Sequence, residues 1–158
     1  MKRNNLRIST LLLAVIMFTG FLGLSGNLQA QSIKPVTVQS SKDFNGTKSA
    51  IKKAVSEGGM QVLSEMDQGN ILSMTGLSVK VHTFFIGNPN VGKEAFSADP
   101  SVGLVIPVRV NVYEENGKTY VSYFKPSEEF ASFNNKKVKM IGDKLDGKLQ
   151  MMMKMISK

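Results

Sequence analysis

Two adjacent residues, Asn116 and Gly117, constrain the fold of this chain more than any other feature. They stand between two runs of alternating apolar and polar residues, 102–115 and 118–124. Asn-Gly is a strong sequence signal for a two-residue β-hairpin, because both residues accept the positive φ angles of a type I′ turn. A two-residue turn also fixes the register of the strands that it joins. The predicted cross-strand pairs are Glu115–Lys118, Tyr113–Tyr120, Val112–Val121 and Val110–Tyr123.

The hairpin register assigns these side chains to two faces. One face is aliphatic and is expected to pack under helices; it holds Leu104, Ile106, Val108, Val110, Val112, Val121 and Tyr123. The other face mixes aromatic, amide and charged groups; it holds Pro107, Arg109, Asn111, Tyr113, Tyr120, Ser122 and Phe124. A strand at 79–86 adds Lys80, His82 and Phe84 to this second face if it presents the same side. A sheet covered on one side leaves such a face to water, a ligand or a second subunit, and all three remain open.

Helix and strand signals alternate along the rest of the chain. The predicted elements are a strand over 34–39, a helix from Phe44 to Gly58 with Ser41 or Asp43 as its cap, strands over 60–66 and 79–86, a short helix over about 91–98, a helix after Pro126 and a helical tail over 136–158. Residues 69–76 are ambiguous and fit at most a short helical turn. The order β-α-β-β-α-β-β-α predicts a single α+β domain with one mostly antiparallel sheet and helices on one face.

The first thirty residues have the layout of a secretory signal peptide. Three cations precede an apolar run over 11–24, and polar residues and Ala30 follow it. This run is shorter than the roughly 20 residues of a transmembrane helix, so we expect cleavage rather than a retained anchor. The mature domain, residues 31–158, is then periplasmic or secreted. The chain has no cysteine, which excludes a lipoprotein anchor, disulfides and thiolate chemistry.

Signals for catalysis or metal binding are few. His82 is the only histidine, and no carboxylates are spaced to join it around a metal ion. No nucleophile, base and orienting group occur in a known catalytic arrangement. We therefore predict no catalytic residue, no metal site and no cofactor. An enzyme or redox-accessory protein that uses Asp67, His82 or Arg109 is the alternative.

A loop at 87–93 fits the phosphate-binding pattern G-x-x-x-x-G-K. Glu94, however, stands where a Ser or Thr must bind Mg²⁺. The helix that follows ends before Pro100 and holds about two turns, which is too short for a nucleotide-binding helix. We expect no nucleotide binding here.

Several spaced motifs together resemble the domain of unknown function 302 family. They are Phe84-Phe85-Ile86-Gly87-Asn88-Pro89, Ala98-Asp99-Pro100, the strand from Gly103 to Val110, Val112 to Lys118, and Val121-Ser122-Tyr123. The resemblance covers about residues 44–130. It implies a curved antiparallel sheet with helices on one side, similar to TATA-binding-protein-like domains and often dimeric, and it implies no established reaction. The family often has Asp-His after its second strand, whereas Asp67 is followed here by Gln68.

The tail carries the net charge of the mature chain. Residues 136–158 hold seven Lys and two Asp, whereas residues 31–135 are neutral. Apolar residues recur in steps of three and four, at Val138, Ile141, Leu145, Leu149, Met152 and Ile156. A last core helix is the main interpretation, and contact with anionic lipid is the alternative. Copper(I) binding is a third interpretation, based on Met151, Met152, Met153 and Met155. Nucleic acid is not an expected partner.

These observations predict an exported, non-enzymatic module that binds a small molecule or an envelope protein, with a homodimer as a further candidate. Its contacts would come from the mixed sheet face and from the loop that leaves the strand at 79–86. The predicted site residues are His82, Gly87, Asn88, Pro89, Pro107, Arg109, Asn111, Tyr113 and Tyr120. Envelope association through the basic tail is the alternative.

Overall fold

Five antiparallel strands form one open sheet in the order β1-β5-β4-β3-β2. The computed structural model describes residues 32–157, so the predicted signal peptide lies outside the described residues. The elements are β1 (Val36–Gln39), α1 (Phe44–Glu57), β2 (Gln61–Met66), α2 (Gln68–Ser73), β3 (Val81–Gly87), α3 (Pro89–Ala98), a 3₁₀ turn (Pro100–Leu104), β4 (Val108–Glu115), β5 (Lys118–Tyr123), α4 (Pro126–Phe130) and α5 (Lys136–Ile156). The predicted α+β fold with a single antiparallel sheet is confirmed.

The β4–β5 hairpin has the predicted turn and register. Asn116 and Gly117 adopt φ angles of 52° and 73°, as a type I′ turn requires. Glu115 pairs with Lys118, and Tyr113 pairs with Tyr120. The turn residues therefore determine which side chains of both strands point to the same side.

The core lies between the sheet and the helices α1 and α5. We call the sheet face toward these helices the inner face. Its buried residues are Phe84, Ile86, Val108, Val110, Val112, Val121 and Tyr123. The predicted apolar stripe of α5 is buried against them, which confirms that this helix is part of the core. Burial of one stripe leaves the lysines of α5 on its solvent side.

Local capping sets the ends of α1. The Asp43 carboxylate accepts a hydrogen bond of 2.7 Å from the backbone N–H of Gly46. After the last turn, Gly59 takes a φ of 66° and the chain reverses into β2. Strand β2 is an edge strand, and a bulge between Val62 and Ser64 interrupts its pairing with β3.

Residues 102–107 were expected to extend β4, and this expectation is wrong. Asp99 instead caps a 3₁₀ turn by accepting a hydrogen bond of 2.9 Å from the N–H of Ser101, and Pro100 opens that turn. Pro107 lacks an N–H and so cannot donate to a ladder, and β4 starts one residue later. Leu104 is consequently 84% exposed rather than part of the core. Within residues 32–157, no helix has the length and apolar character needed to span a membrane.

Candidate functional site

The outer face of the sheet, opposite α1 and α5, holds the mixed set of side chains. The hairpin register places Arg109, Asn111 and Tyr113 of β4 on this face, together with Tyr120 and Ser122 of β5. The pairing of β3 with β4 adds three more residues, Val81, Thr83 and Phe85. The predicted surface therefore exists as a contiguous face of three central strands.

Tyr113 and Tyr120 form its aromatic part. Their ring centroids lie 5.4 Å apart, and the ring planes differ by 24°. This is an offset stack across a directly opposed pair of the hairpin. Both rings are half-buried, so the stack stabilises the hairpin and also presents an aromatic edge to solvent.

Helix α2 covers the end of the outer face next to β2. The Asp67 carboxylate caps this helix by accepting a hydrogen bond of 2.9 Å from the N–H of Asn70. The chain then returns close to the helix, because a Cβ on Gly69 would lie only 2.5 Å from the carbonyl oxygen of Val79. Only glycine permits this approach. A groove of about 430 Å³ remains beside α2, above strands β3 and β4.

The groove has a polar floor. The Thr83 hydroxyl lies 2.9 Å from Gln68 Oε1 and 3.2 Å from Asn111 Oδ1, and its single proton is shared between these two acceptors. Thr83 itself is buried. The amide nitrogens of Gln68 and Asn111 form no hydrogen bond to other residues in the range 32–157, so both keep N–H donors free for a ligand.

The walls of the groove are apolar and come from three elements. They consist of Met66, Ile71, Leu72 and Val81. Met66 and Ile71 are exposed, although apolar side chains of this size are usually covered in a monomer. A floor of amides between such walls suits a molecule with an apolar body and one hydrogen-bonding group.

Arg109 lies on the same face, two residues from Asn111 and thus about 7 Å along the strand. Its guanidinium is 3.6 Å from Glu129 Oε1 of α4. Burial raises the pKa of Glu129, and the positive charge of Arg109 partly opposes this rise. Arg109 remains mostly exposed, so it can contribute a charge to the margin of the face.

The prediction that His82 belongs to this face is wrong. His82 pairs with Val112 and lies on the inner face beside Phe84, with a ring-centroid separation of 4.8 Å. It is only 7% exposed. Its partner is the Glu65 carboxylate of β2, 2.9 Å from Nε2, and Nδ1 has no hydrogen-bond partner among residues 32–157. His82 and Arg109 therefore lie on opposite sides of the sheet and cannot act on one substrate.

Glu65 also joins the inner face to α1. Lys52 of α1 donates a hydrogen bond of 2.8 Å to its second oxygen. This bond, together with the contact to His82, lowers the pKa of Glu65. The three side chains form a chain of polar contacts at the margin of the core, which ties α1 to β2 and β3.

The loop Gly87-Asn88-Pro89 lies at the far end of β3 from the groove, about 20 Å from Val81. The Asn88 side chain accepts hydrogen bonds from the N–H groups of Asn90 and Val91 and donates one of 2.8 Å to the carbonyl of Gly59. Pro89 opens α3 at its first position. These residues thus hold a helix start and the turn after α1 in place, and the structure does not bring them to the groove.

Two other predicted features also lie apart from the groove. Pro107 is exposed, and it precedes β4 rather than forming part of it. The methionines near the C-terminus divide between two sides of α5, since Met152 and Met153 are buried whereas Met151 and Met155 are exposed. Among residues 32–157, no three His, Asp or Glu side chains converge as metal ligands.

Sequence reasoning found Asn111 but missed the other groove residues. Ile71 and Leu72 lie in the run 69–76, where the sequence pattern is ambiguous, whereas Met66 ends the strand predicted over 60–66 and Gln68 follows it. The conditional assignment of Lys80, His82 and Phe84 to the mixed face left Val81 and Thr83 out of it, whereas the strand pairing places both on the outer face. One signal was available: residues 63–79 contain seven large apolar side chains without the regular spacing of a buried strand or helix.

Comparisons with known proteins agree with this architecture. The family model described as "Domain of unknown function DUF302" matches residues 36–156. A crystal structure of an uncharacterized conserved DUF302 protein from Bacillus stearothermophilus is similar, with a TM-score of 0.74 and 22% sequence identity over 79% of this chain and 99% of the other. No curated protein matches this sequence. The match over most of the chain shows that it belongs to the DUF302 family.

Proposed function

We propose that this protein is a binding module that takes a small amphipathic molecule in the groove beside α2. The supporting observation is the combination of free amide donors on the floor with exposed apolar walls. Apolar pockets with a few convergent polar groups are the usual form of small-molecule sites. The volume of the groove, about 430 Å³, also falls in the range typical of such sites.

The residues around the groove favour binding over catalysis. All seven lining side chains within residues 32–157 are apolar, amide or hydroxyl groups, and none of them titrates near neutral pH. General acid–base catalysis requires such a group within hydrogen-bond reach of the reacting atom. The alternative enzyme hypothesis needs Asp67, His82 or Arg109, of which Asp67 is engaged as a helix cap and the other two face apart.

The chemistry of the floor specifies the class of ligand. Two carboxamide groups recognise a carbonyl or hydroxyl group without requiring charge. Arg109 lies about two residues away and extends the site only for a longer ligand with an anionic end. We therefore expect neutral molecules with one aromatic or branched aliphatic part and one polar group. The predicted signal peptide would place this binding outside the cytoplasm.

This proposal can be tested by NMR titration with acetanilide, benzyl alcohol and benzamidine. The first two should bind and shift the backbone amide signals of Val81, Thr83 and Asn111, whereas the cationic probe should not, because none of the seven lining side chains found within residues 32–157 is acidic. Thr83→Val keeps the shape but removes the hydroxyl that orients both amides, and it should weaken binding by about fivefold. Ser122→Ala, on the same face outside the groove, is the matched control. Unchanged affinity in Thr83→Val would refute the site.

A homodimer is the second candidate, supported by exposed apolar residues around β2 and α2. They are Leu63, Met66, Ile71, Met74, Leu77 and Val79. Exposed apolar patches of this kind are typical of protein contacts. Leu77→Asp changes this patch without altering the groove, since Leu77 does not line it. Light scattering should then show that the dimer is lost, while acetanilide binding persists. A parent protein that is already monomeric would contradict the dimer but would leave the proposed binding groove untouched.

A further inference from the structure

A second cleft lies on the inner side of the sheet, away from the groove beside α2. It runs between β1 and the C-terminal half of α5, and its volume is about 380 Å³. Within the described part of the chain, strand β1 is an edge strand that pairs only with β5. The core therefore ends at this margin, and the cleft opens to solvent along it.

The walls of the cleft are apolar. They come from Val36 and Val38 of β1 and from Met153 of α5. The ring of Tyr123 lies between these walls, because Tyr123 pairs with Val36 across the strands and is only 7% exposed. An apolar chain or ring could replace water along this surface.

The polar side chains that line the cleft include a phenol and two ammonium groups, beside those of Asp146, Gln150 and Ser157. The Tyr123 hydroxyl forms no hydrogen bond with other residues in the range 32–157, and Lys154 forms no ion pair within that range. Lys125 contributes a second ammonium group, which lies 3.3 Å from Glu128. The cleft thus offers a free hydroxyl donor and positive charge to an incoming group.

Asp146 is the one carboxylate that lines the cleft among residues 32–157, and it accepts hydrogen bonds from Ser127. Asp146 Oδ1 accepts a hydrogen bond of 3.1 Å from the Ser127 N–H, and Oδ2 accepts one of 2.5 Å from the Ser127 hydroxyl. Burial raises the pKa of Tyr123, and the negative charge of Asp146 adds to this rise. The phenol therefore keeps its proton at neutral pH and remains a donor.

Gly147 keeps the cleft open. It lies inside α5 and lines the cleft, and a Cβ built on it would meet no atom within 4 Å. Glycine weakens the interior of a helix relative to alanine, and no neighbour requires a glycine here. A site that a ligand must occupy would explain why this position has no side chain.

We propose that the cleft between β1 and α5 binds a small carboxylate that carries an apolar chain or ring. The carboxylate accepts hydrogen bonds from Tyr123 and Lys154, and the apolar part packs on Val36, Val38 and Met153. The lining residues include two ammonium groups, Lys125 and Lys154, and one carboxylate, Asp146, and their net positive charge favours an anion over a neutral group of the same shape. This site is separate from the outer groove, and it does not depend on the function proposed there.

Calorimetric titration of the purified protein with octanoate and octan-1-ol tests the proposal. Octanoate should bind with a dissociation constant of about 1 mM or below, as expected for a ligand of this size, and octan-1-ol at least about fivefold more weakly. Lys154→Ala should weaken octanoate binding by about fivefold. Lys144→Ala, an exposed lysine of the same helix outside the cleft, should not.

A plug variant makes the test independent of charge. Gly147→Leu should fill the cleft, abolish octanoate binding and leave the circular dichroism spectrum unchanged. Gly92→Leu is its matched control, because Gly92 also lies in a helix with nothing within 4 Å of a built Cβ and does not line the cleft. Three results would overturn the proposal. The parent protein could fail to bind octanoate, or it could bind octan-1-ol equally well. The third is a folded Gly147→Leu variant that still binds octanoate.

Discussion

The two faces of the sheet share the same strands but differ in how their side chains are used. On the inner face, residues such as Phe84 and Val110 are fully enclosed by helices and by one another. On the outer face, Tyr113, Tyr120 and Asn111 are half-buried, and helix α2 covers only one end. Substitutions on the inner face should therefore change stability, whereas those on the outer face should mainly change binding.

Two consecutive phenylalanines give the largest expected contrast between the faces. Phe84 is 0% exposed on the inner face, and its neighbour Phe85 is half-buried on the outer face. Phe84→Ala should lower the free energy of unfolding by about 3–5 kcal/mol, because it leaves a cavity in the core. Phe85→Ala should cost about 1–2 kcal/mol, since part of its surface is already in water. Urea denaturation of both variants measures the difference; equal losses would remove the distinction between the faces.

Two glycines of α5 extend the contrast from the sheet to the helix that covers it. A Cβ on Gly142 would lie 3.1 Å from the carbonyl oxygen of Pro126, whereas one on Gly147 would meet nothing within 4 Å. Gly142→Ala should destabilise the protein by about 1 kcal/mol through crowding. Gly147→Ala should stabilise it by up to about 1 kcal/mol through helix propensity. Thermal unfolding should shift in opposite directions, and shifts of the same sign would contradict the packing at Gly142.

The Lys52–Glu65–His82 contacts give a smaller, pH-dependent effect at the margin of the inner face. The lowered pKa of Glu65, caused first by Lys52, means that this group stabilises the fold above its ordinary value of about 4.5. That contribution disappears as the pH falls through the lowered pKa. Glu65→Gln should cost about 0.5–1 kcal/mol at pH 7, since Glu65 is partly exposed and solvent screens its charge.

The stabilities of Glu65→Gln and of the parent protein should therefore converge as the pH falls below 4.5 and through the lowered pKa of Glu65. Denaturation at pH 7, 5 and 3.5 measures this convergence. Glu57→Gln serves as the control, because Glu57 lies 3.8 Å from Lys53 in an exposed pair and should show almost no effect. A gap that stays constant with pH would mean that the carboxylate charge does not contribute.

The tyrosine stack on the outer face should have the smallest effect on stability. A double-mutant cycle with Tyr113→Leu and Tyr120→Leu should give a coupling of about 0.5–1 kcal/mol, as is usual for aromatic pairs. The register of the hairpin should not change, because Asn116 and Gly117 determine it. Zero coupling would contradict a stabilising contribution of the ring stack.

The sequence predicted the parts of the fold that depend on local geometry. The turn at Asn116-Gly117 sets the β4–β5 pairs without any distant contact, so the positions of Arg109, Asn111 and both tyrosines followed directly. Asp43 and Gly59 likewise act within one turn of α1.

Two of the errors concern residues whose positions depend on distant contacts. The face of His82 depends on the pairing of β3 with β4, and about twenty residues separate these strands in the chain. The groove was missed because α2 reaches the outer face only through the close approach of Gly69 to Val79. The third error has a local cause: residues 102–107 alternate like a strand, yet Pro100 and Pro107 confine them to a 3₁₀ turn and an exposed link.

The bulge in β2 has a consequence for the behaviour of the protein at high concentration. An edge strand with a regular ladder of free N–H and C=O groups can recruit strands from other molecules and grow into fibrils. The extra residue between Val62 and Ser64 breaks that spacing on the side of the sheet that is richest in exposed apolar groups. Contacts made there should therefore involve side chains and remain reversible, rather than propagate through backbone hydrogen bonds.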